Sequence, residues 1–443
     1  MHNNLADQRS DTRSARGLGP WMSLAMVVGA MIGSAIYLLP AVLAPYGPNI
    51  TFAWLLSISG TMCIALGMAR LAANIPGGPT AYVTSAFGDV PAFLTMWSYM
   101  VSVWSGITAV ALAVAGALSY VFPAIASGVG LFIVAAGSII LLAIFNLISV
   151  RTAGRLQVTA TMIKLLPLLA VLVLVAAKVA SGHPVEHLTP TPIAPQGILA
   201  AAALTLFALT GFEVGPITAP VTENAERNVP RAQIIGVAVT GFIYLTATLA
   251  VLWLLPSASA ATSRAPFAEA IAPWLGPVAG TIVALIAAIS ALGANNALML
   301  GVAELTRSVA QRGDLPLIFA RTRANGVPYV GIVTAAVLSI ALLIFNSAPA
   351  FVSVYAFVAL VSAIATLLLY AMCSAAVLKL RLTGGLLGTI IAVIAALYSL
   401  AMFFGAGWEA TKWGLLFALS GIPIRWLSRR YNALRSSPES AVS

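Results

Sequence analysis

Uninterrupted apolar runs, many of them long enough to cross a hydrocarbon core as a helix, constrain this chain more than any other feature. Hydrophobic residues make up 60% of the sequence and charged residues 8%, against about 25% charged residues in a soluble domain. A water-facing surface of this size cannot be built from so few charges, so the runs must face lipid. Strand-like alternation is absent, which argues against an outer-membrane barrel. The chain therefore reads as an all-α polytopic membrane protein.

Other classes drop away on residue content. Cys63 and Cys373 both lie in apolar runs, so no disulfide framework or cysteine metal site is indicated. His183 and His187 stand four residues apart with Pro184 between them and no cysteine nearby, and read as solvated loop histidines. No metal and no cofactor are expected. The first 17 residues are polar, carry Arg9, Arg13 and Arg16, and lack the apolar core of a cleaved signal peptide.

Twelve spans are read, at 18–44, 49–74, 91–121, 127–150, 156–180, 197–221, 231–256, 274–306, 328–347, 350–378, 384–405 and 408–428. With the N-terminus in the cytoplasm, eighteen of the 22 basic residues fall in inside segments, from Arg9 and Arg70 to Arg429 and Arg435. Only Lys178, Arg264 and Lys412 fall outside, and Lys164 lies within a span. This asymmetry follows the positive-inside rule and places both termini in the cytoplasm. It also accounts for the net charge of +10 without nucleic acid, since the arginines act as orientation signals beside the membrane.

Two spans are interrupted. Span 1 carries Gly29-Ala30-Met31-Ile32-Gly33-Ser34 near its middle, with Pro40 beyond it, and span 6 carries Thr210-Gly211-Phe212-Glu213-Val214-Gly215-Pro216. Glycine and proline at mid-membrane depth loosen the helical hydrogen-bond ladder, and the freed groups need protein, water or a ligand. The interruptions are about 182 residues apart, as are the starts of spans 3 and 8. An offset of five spans gives the second copy opposite topology, so the halves read as inverted repeats, 18–180 and 197–378. Spans at 384–428 follow, with tails at 1–17 and 429–443. Matching interruptions in two halves point to a midplane binding site.

Among charged residues, only Glu213 and Lys164 sit well inside a span, at a cost of about 2.5–3.5 kcal/mol each on insertion scales. Glu213 is placed to bind an amine, contact unwound backbone or take up a proton; the plainer alternative is a carboxylate capping the broken helix. Lys164 is read as a fixed cation where other transporters hold sodium, or else as a side chain snorkelling to the interface. The span 1 break, Ala30 to Ser34, offers N–H groups for a substrate carboxylate. Span 6, with Thr210 and Gly211, offers carbonyls for an amino group, and Phe207 stands ready as a cover. Asn295 and Asn296 on span 8 are adjacent amides in an apolar helix, so one faces the interior. Tyr99 and Trp104 on span 3 are candidate gating residues of the same cavity, with plain packing as the alternative.

The segment Val28-Gly-Ala-Met-Ile-Gly-Ser-Ala-Ile-Tyr-Leu-Leu-Pro40 resembles the first-helix motif of the amino acid–polyamine–organocation superfamily. Ile75-Pro-Gly-Gly-Pro-Thr-Ala-Tyr82, Gly211-Phe-Glu213 with Glu223-Asn-Ala-Glu-Arg-Asn-Val-Pro-Arg231, and Gly313-Asp-Leu-Pro-Leu-Ile-Phe-Ala-Arg321 with Gly326-Val-Pro328 are similar to three later motifs in order. The resemblance implies a five-plus-five inverted-repeat fold of twelve helices, with helices 1 and 6 broken, two extra C-terminal helices and alternating access. It also implies that Glu213, Tyr99 and Phe207 match site residues of arginine/agmatine antiporters. Lys164, in the setting Asn146…Gly154…Gln157…Lys164-Leu-Leu-Pro167, matches the sodium-replacing lysine of L-type exchangers. Ala35 departs from the usual glycine, and the tryptophan that basic-amine antiporters place on helix 8 is missing near Asn295 or Leu298.

The expected function is a sodium-independent secondary transporter of amino acids, a proton-coupled symporter or exchanger, not an enzyme, in the cell inner membrane. Because a site holding Lys164 is less hospitable to a dication, neutral amino acids rank first and a cationic amino acid/polyamine antiporter second. A channel or a non-transporting receptor is the alternative from another class. The expected partners are the amino acid or amine and membrane lipid, with protons and a second copy of the chain as further candidates.

Overall fold

The computed structural model describes residues 19–33, 35–148, 153–218, 222–323, 326–345 and 350–436, and these form helices and connecting turns with no strand among them. Ser34, Arg151, the tail at 1–17 and residues 437–443 lie outside the described residues. The first half comprises α1 (Pro20–Met31), α2 (Ala35–Leu43), α3 (Asn49–Asn74), α4 (Gly78–Phe87), α5 (Asp89–Val121), α6 (Gly128–Ile148) and α7 (Ala153–Ala180). Then come α8 (Pro195–Leu209), α9 (Val214–Thr218), α10 (Ala225–Leu254), α11 (Ser257–Thr262), α12 (Pro266–Leu275) and α13 (Pro277–Gln311). The last five are α14 (Tyr329–Phe345), α15 (Phe351–Lys379), α16 (Leu386–Gly405), α17 (Gly407–Leu419) and α18 (Gly421–Ser436).

Nine of the described segments are long and apolar enough to cross a bilayer, and α1 with α2, bent by 45°, makes a tenth. The remaining two of the twelve expected spans differ. Helix α14, at 17 residues, is short of a full crossing. The span expected at 408–428 is two helices meeting at Ser420, because the apolar run ends with α17 and α18 carries Arg425, Arg429 and Arg430. The indole N–H of Trp97 donates to the Phe417 carbonyl (2.9 Å) and Ser420 Oγ (3.1 Å) at that joint.

Helix α5 runs through the centre, with 94% of its most apolar window buried, against 39% for α6 and 33% for α16 at the periphery. Its serines and threonines act as interhelical ties of the kind small residues permit in membranes. Ser98 Oγ donates to the Ala365 carbonyl on α15 (2.7 Å), and Ser362 Oγ donates to the Ser102 carbonyl (2.8 Å). Thr108 Oγ1 donates to the Ser339 carbonyl (2.9 Å) and Ser339 Oγ donates to the Trp104 carbonyl (3.0 Å), joining α5 to α14. On the other flank Ser57 Oγ donates to the Ala202 carbonyl (3.0 Å), fixing α3 to α8. These ties hold α5, α8 and α15 around the two breaks.

Candidate functional site between two broken helices

Both expected interruptions are present as backbone breaks. Helix α1 stops at Met31 and α2 begins at Ala35; α8 stops at Leu209 and α9 begins at Val214. The breaks touch. Gly211 sits at φ +114°, a conformation that L side chains rarely adopt, and a Cβ added there would lie 2.9 Å from the Ala30 carbonyl carbon and oxygen and 3.0 Å from Met31 N. Only glycine lets the second break close on the first. Gly33 differs: a Cβ there would meet Ala294 Cβ of α13 at 3.7 Å, an ordinary contact.

Carbonyls at the breaks find partners on neighbouring helices or within the break itself, as apolar surroundings require. Tyr244 Oη donates to Met31 O (2.8 Å), Lys164 Nζ to Ile32 O (3.3 Å), and Tyr355 Oη to Ala35 O (3.3 Å). In the second break Thr210 Oγ1 donates to Phe207 O (2.8 Å), and Gln233 Nε2 donates to Phe212 O (3.4 Å). The Phe207 ring stands edge-on to Tyr355, with centroids 6.4 Å apart, so it lies beside the start of α2.

Glu213 is the chemical centre of the arrangement. Its side chain is 3% exposed. Oε2 accepts from Gly211 N–H (2.9 Å) and from Tyr370 Oη (3.1 Å), while Oε1 accepts from Tyr99 Oη (3.1 Å). It therefore caps its own break and also joins α5 to α15. All three donors are neutral. No ion pair involves Glu213 among the described residues, and Lys164, 2% exposed, is bonded to the backbone of the first break instead. A buried carboxylate met only by neutral donors lacks a charged partner, which a bound cation would supply.

Not every candidate converges here. Trp104 lies five positions from Tyr99, about 140° around the helix, and lines a pocket of about 370 Å³ with Trp97, Met100 and Leu338, away from Glu213. Asn296 accepts from Asn146 Nδ2 (2.8 Å), tying α13 to α6, and Asn295 Nδ2 donates to Ile107 O (3.2 Å), tying α13 to α5. Both amides join helices, and Asn295 Oδ1 is buried with no hydrogen-bond partner among the described residues. The sequence reading passed over Tyr370, Tyr355 and Tyr244. A tyrosine deep in an apolar span needs a partner for its hydroxyl, and that signal was available.

Residues 18–422 match the family described as amino acid permease. The cadaverine/lysine antiporter of Escherichia coli (strain K12) is 30% identical over 342 residues, covering 75% of this chain and 75% of the relative. A putative arginine/ornithine antiporter of Bacillus subtilis (strain 168) is 29% identical over 355 residues, covering 72% and 75%. The putrescine transporter PotE of E. coli (strain K12) is 24% identical over 401 residues, covering 88% and 91%.

Proposed function

The chain belongs to the amino acid permease family, and we propose that it exchanges cationic amino acids or polyamines across the membrane by alternating access. The observation that carries this reading is the Glu213 carboxylate, buried between the two breaks and met only by neutral donors. A substrate ammonium placed against it gains a charge-assisted hydrogen bond in a site from which water is largely excluded. Where the substrate is an amino acid, the first-turn N–H groups of α2 supply the complementary site for its carboxylate.

The expectation of neutral substrates is not supported. It rested on Lys164 repelling a dication; Lys164 is bonded to the Ile32 carbonyl and not to Glu213, so the carboxylate stays open to a substrate ammonium. The relatives named above are antiporters or transporters of lysine, cadaverine, arginine, ornithine and putrescine, which favours the cationic alternative. In this reading residues 18–180 and 197–378 act as inverted repeats, both termini are cytoplasmic, and Tyr99 and Tyr370 close over Glu213 in the occluded state.

A thermal-shift screen of the purified protein tests the substrate class, because a ligand that binds only the folded state raises its melting point. Lysine, arginine, cadaverine and putrescine should stabilise the protein, while leucine, serine and glutamate should leave it unchanged. Stabilisation by neutral amino acids alone would restore the neutral reading.

The proposal extends to sodium independence. Lys164 places a fixed ammonium on the first-break carbonyl of Ile32, where a sodium ion would otherwise find an oxygen ligand. Proteoliposome flux with choline replacing sodium should equal flux in sodium. A flux that collapses in choline contradicts the role assigned to Lys164.

A further inference from the structure

At one end of the bundle, α18 and the beginning of α5 enclose a cleft of about 520 Å³ that the substrate reading does not use. One side is cationic, with Arg425 and, one turn further along α18, the adjacent Arg429 and Arg430. The other side is apolar, with Val90 and Leu94 of α5 facing Ile422 and Trp426.

The charges are not balanced. Asp314 accepts from Arg425 Nε (2.8 Å) and from Arg429 Nε (3.0 Å), so one carboxylate serves two guanidiniums. Arg430 stacks over Trp426, 5.3 Å from its ring centre, and makes no ion pair among the described residues. Asp89, which opens α5, is exposed and is not among the residues that line the cleft. Arg425 is 8% exposed, and its Nη2 is buried with no hydrogen-bond partner among the described residues. A guanidinium has five donors in a fixed fork suited to two oxygens of a phosphate, and here part of that fork is unfilled in a buried setting. The apolar side, by contrast, opens outward: Val90 and Ile422 are each 52% exposed and Trp426 is 59% exposed.

We propose that this cleft binds an anionic phospholipid, its phosphate on Arg425, Arg429 and Arg430 and an acyl chain along Val90, Leu94, Ile422 and Trp426. A soluble phosphate would use the arginines but leave the apolar side uncovered, whereas a lipid matches both. Juxtamembrane arginine clusters attract anionic lipid in this way. The lipid would hold α18 against α5, the helix that carries Tyr99, and so bear on the stability of the site-bearing core. This inference is independent of which substrate is carried.

The test uses the full-length protein in neutral detergent, with its melting temperature followed against added dioleoylphosphatidylglycerol, dioleoylphosphatidylcholine or inorganic phosphate. Phosphatidylglycerol should give a saturable rise, and the other two should not. The double variant Arg429→Gln/Arg430→Gln should weaken the apparent lipid affinity by about tenfold or more, as expected for losing charged hydrogen bonds. Lysine at the same two positions should retain much of the effect. Arg430→Gln alone breaks no ion pair, so it should fold normally and still show a weaker lipid response. An equal rise with phosphatidylcholine, a rise with phosphate alone, or an undiminished response in both glutamine variants overturns the proposal.

Discussion

Replacing Glu213 with glutamine should weaken binding of cationic substrates by about ten- to a hundredfold, the range expected when a charged hydrogen bond worth about 1.5–3 kcal/mol is lost. The change keeps the shape of the side chain. One oxygen remains to accept from Gly211 N–H or from the tyrosines, and each tyrosine hydroxyl can turn to accept from the new amide. The fold should therefore survive and the charge alone should go. Glutamine cannot exchange a proton, so whatever part of the pH dependence of exchange passes through Glu213 should disappear as well. Dissociation constants measured at several pH values separate these effects. A weaker constant at every pH means direct contact with the substrate amine; a flattened pH profile means proton coupling. Wild-type behaviour in both would make Glu213 a cap for its helix break, which its bond to Gly211 already shows it can be.

Gly211→Val should abolish exchange while the protein still inserts. The substitution meets two obstacles. A left-handed φ costs a residue with a Cβ about 1–2 kcal/mol, and the new Cβ would press on the backbone of Ala30 and Met31, at 2.9 and 3.0 Å. Backbone cannot swing aside as a side chain tip can, so the two breaks must separate, and the site between them is lost. Gly33→Ala is the matched control, because its Cβ makes only ordinary contacts, with Ala294 Cβ at 3.7 Å and Met31 O at 4.0 Å, and Gly33 has no left-handed φ. It should keep exchange near the wild-type rate. Membrane insertion and a single elution peak for both variants exclude misfolding, and exchange that persists in Gly211→Val would move the site away from the junction.

That asymmetry marks what a reading of the residues can reach. Glycine and proline at mid-span revealed both breaks and their matching positions, because a loosened hydrogen-bond ladder is a local property of sequence. Whether each glycine is required depends on what faces it, and the contact between Gly211 and Ala30 joins residues far apart in the chain. Glu213 and Lys164 were legible as rare charges in apolar spans, yet their partners were not. Tyr99 was named for its depth and its hydroxyl meets Glu213, whereas Tyr370, which meets the same carboxylate, looked like one more aromatic in an apolar span. Trp104, named with it, lines a different pocket, since depth alone does not say which side of α5 a residue occupies. The division of the last expected span into α17 and α18 had a signal in Arg425, Arg429 and Arg430, residues that apolarity averaged over a window conceals.

Counterflow in proteoliposomes tests the central claim most directly. Vesicles loaded with unlabelled lysine or cadaverine and placed in trace radiolabelled lysine should accumulate label transiently, in sodium-free buffer. Vesicles loaded with leucine, or with no amine, should not, and Glu213→Gln should reduce the accumulation sharply. Uptake that is equal with and without internal amine, or driven as well by leucine as by lysine, contradicts a cation exchanger built around Glu213.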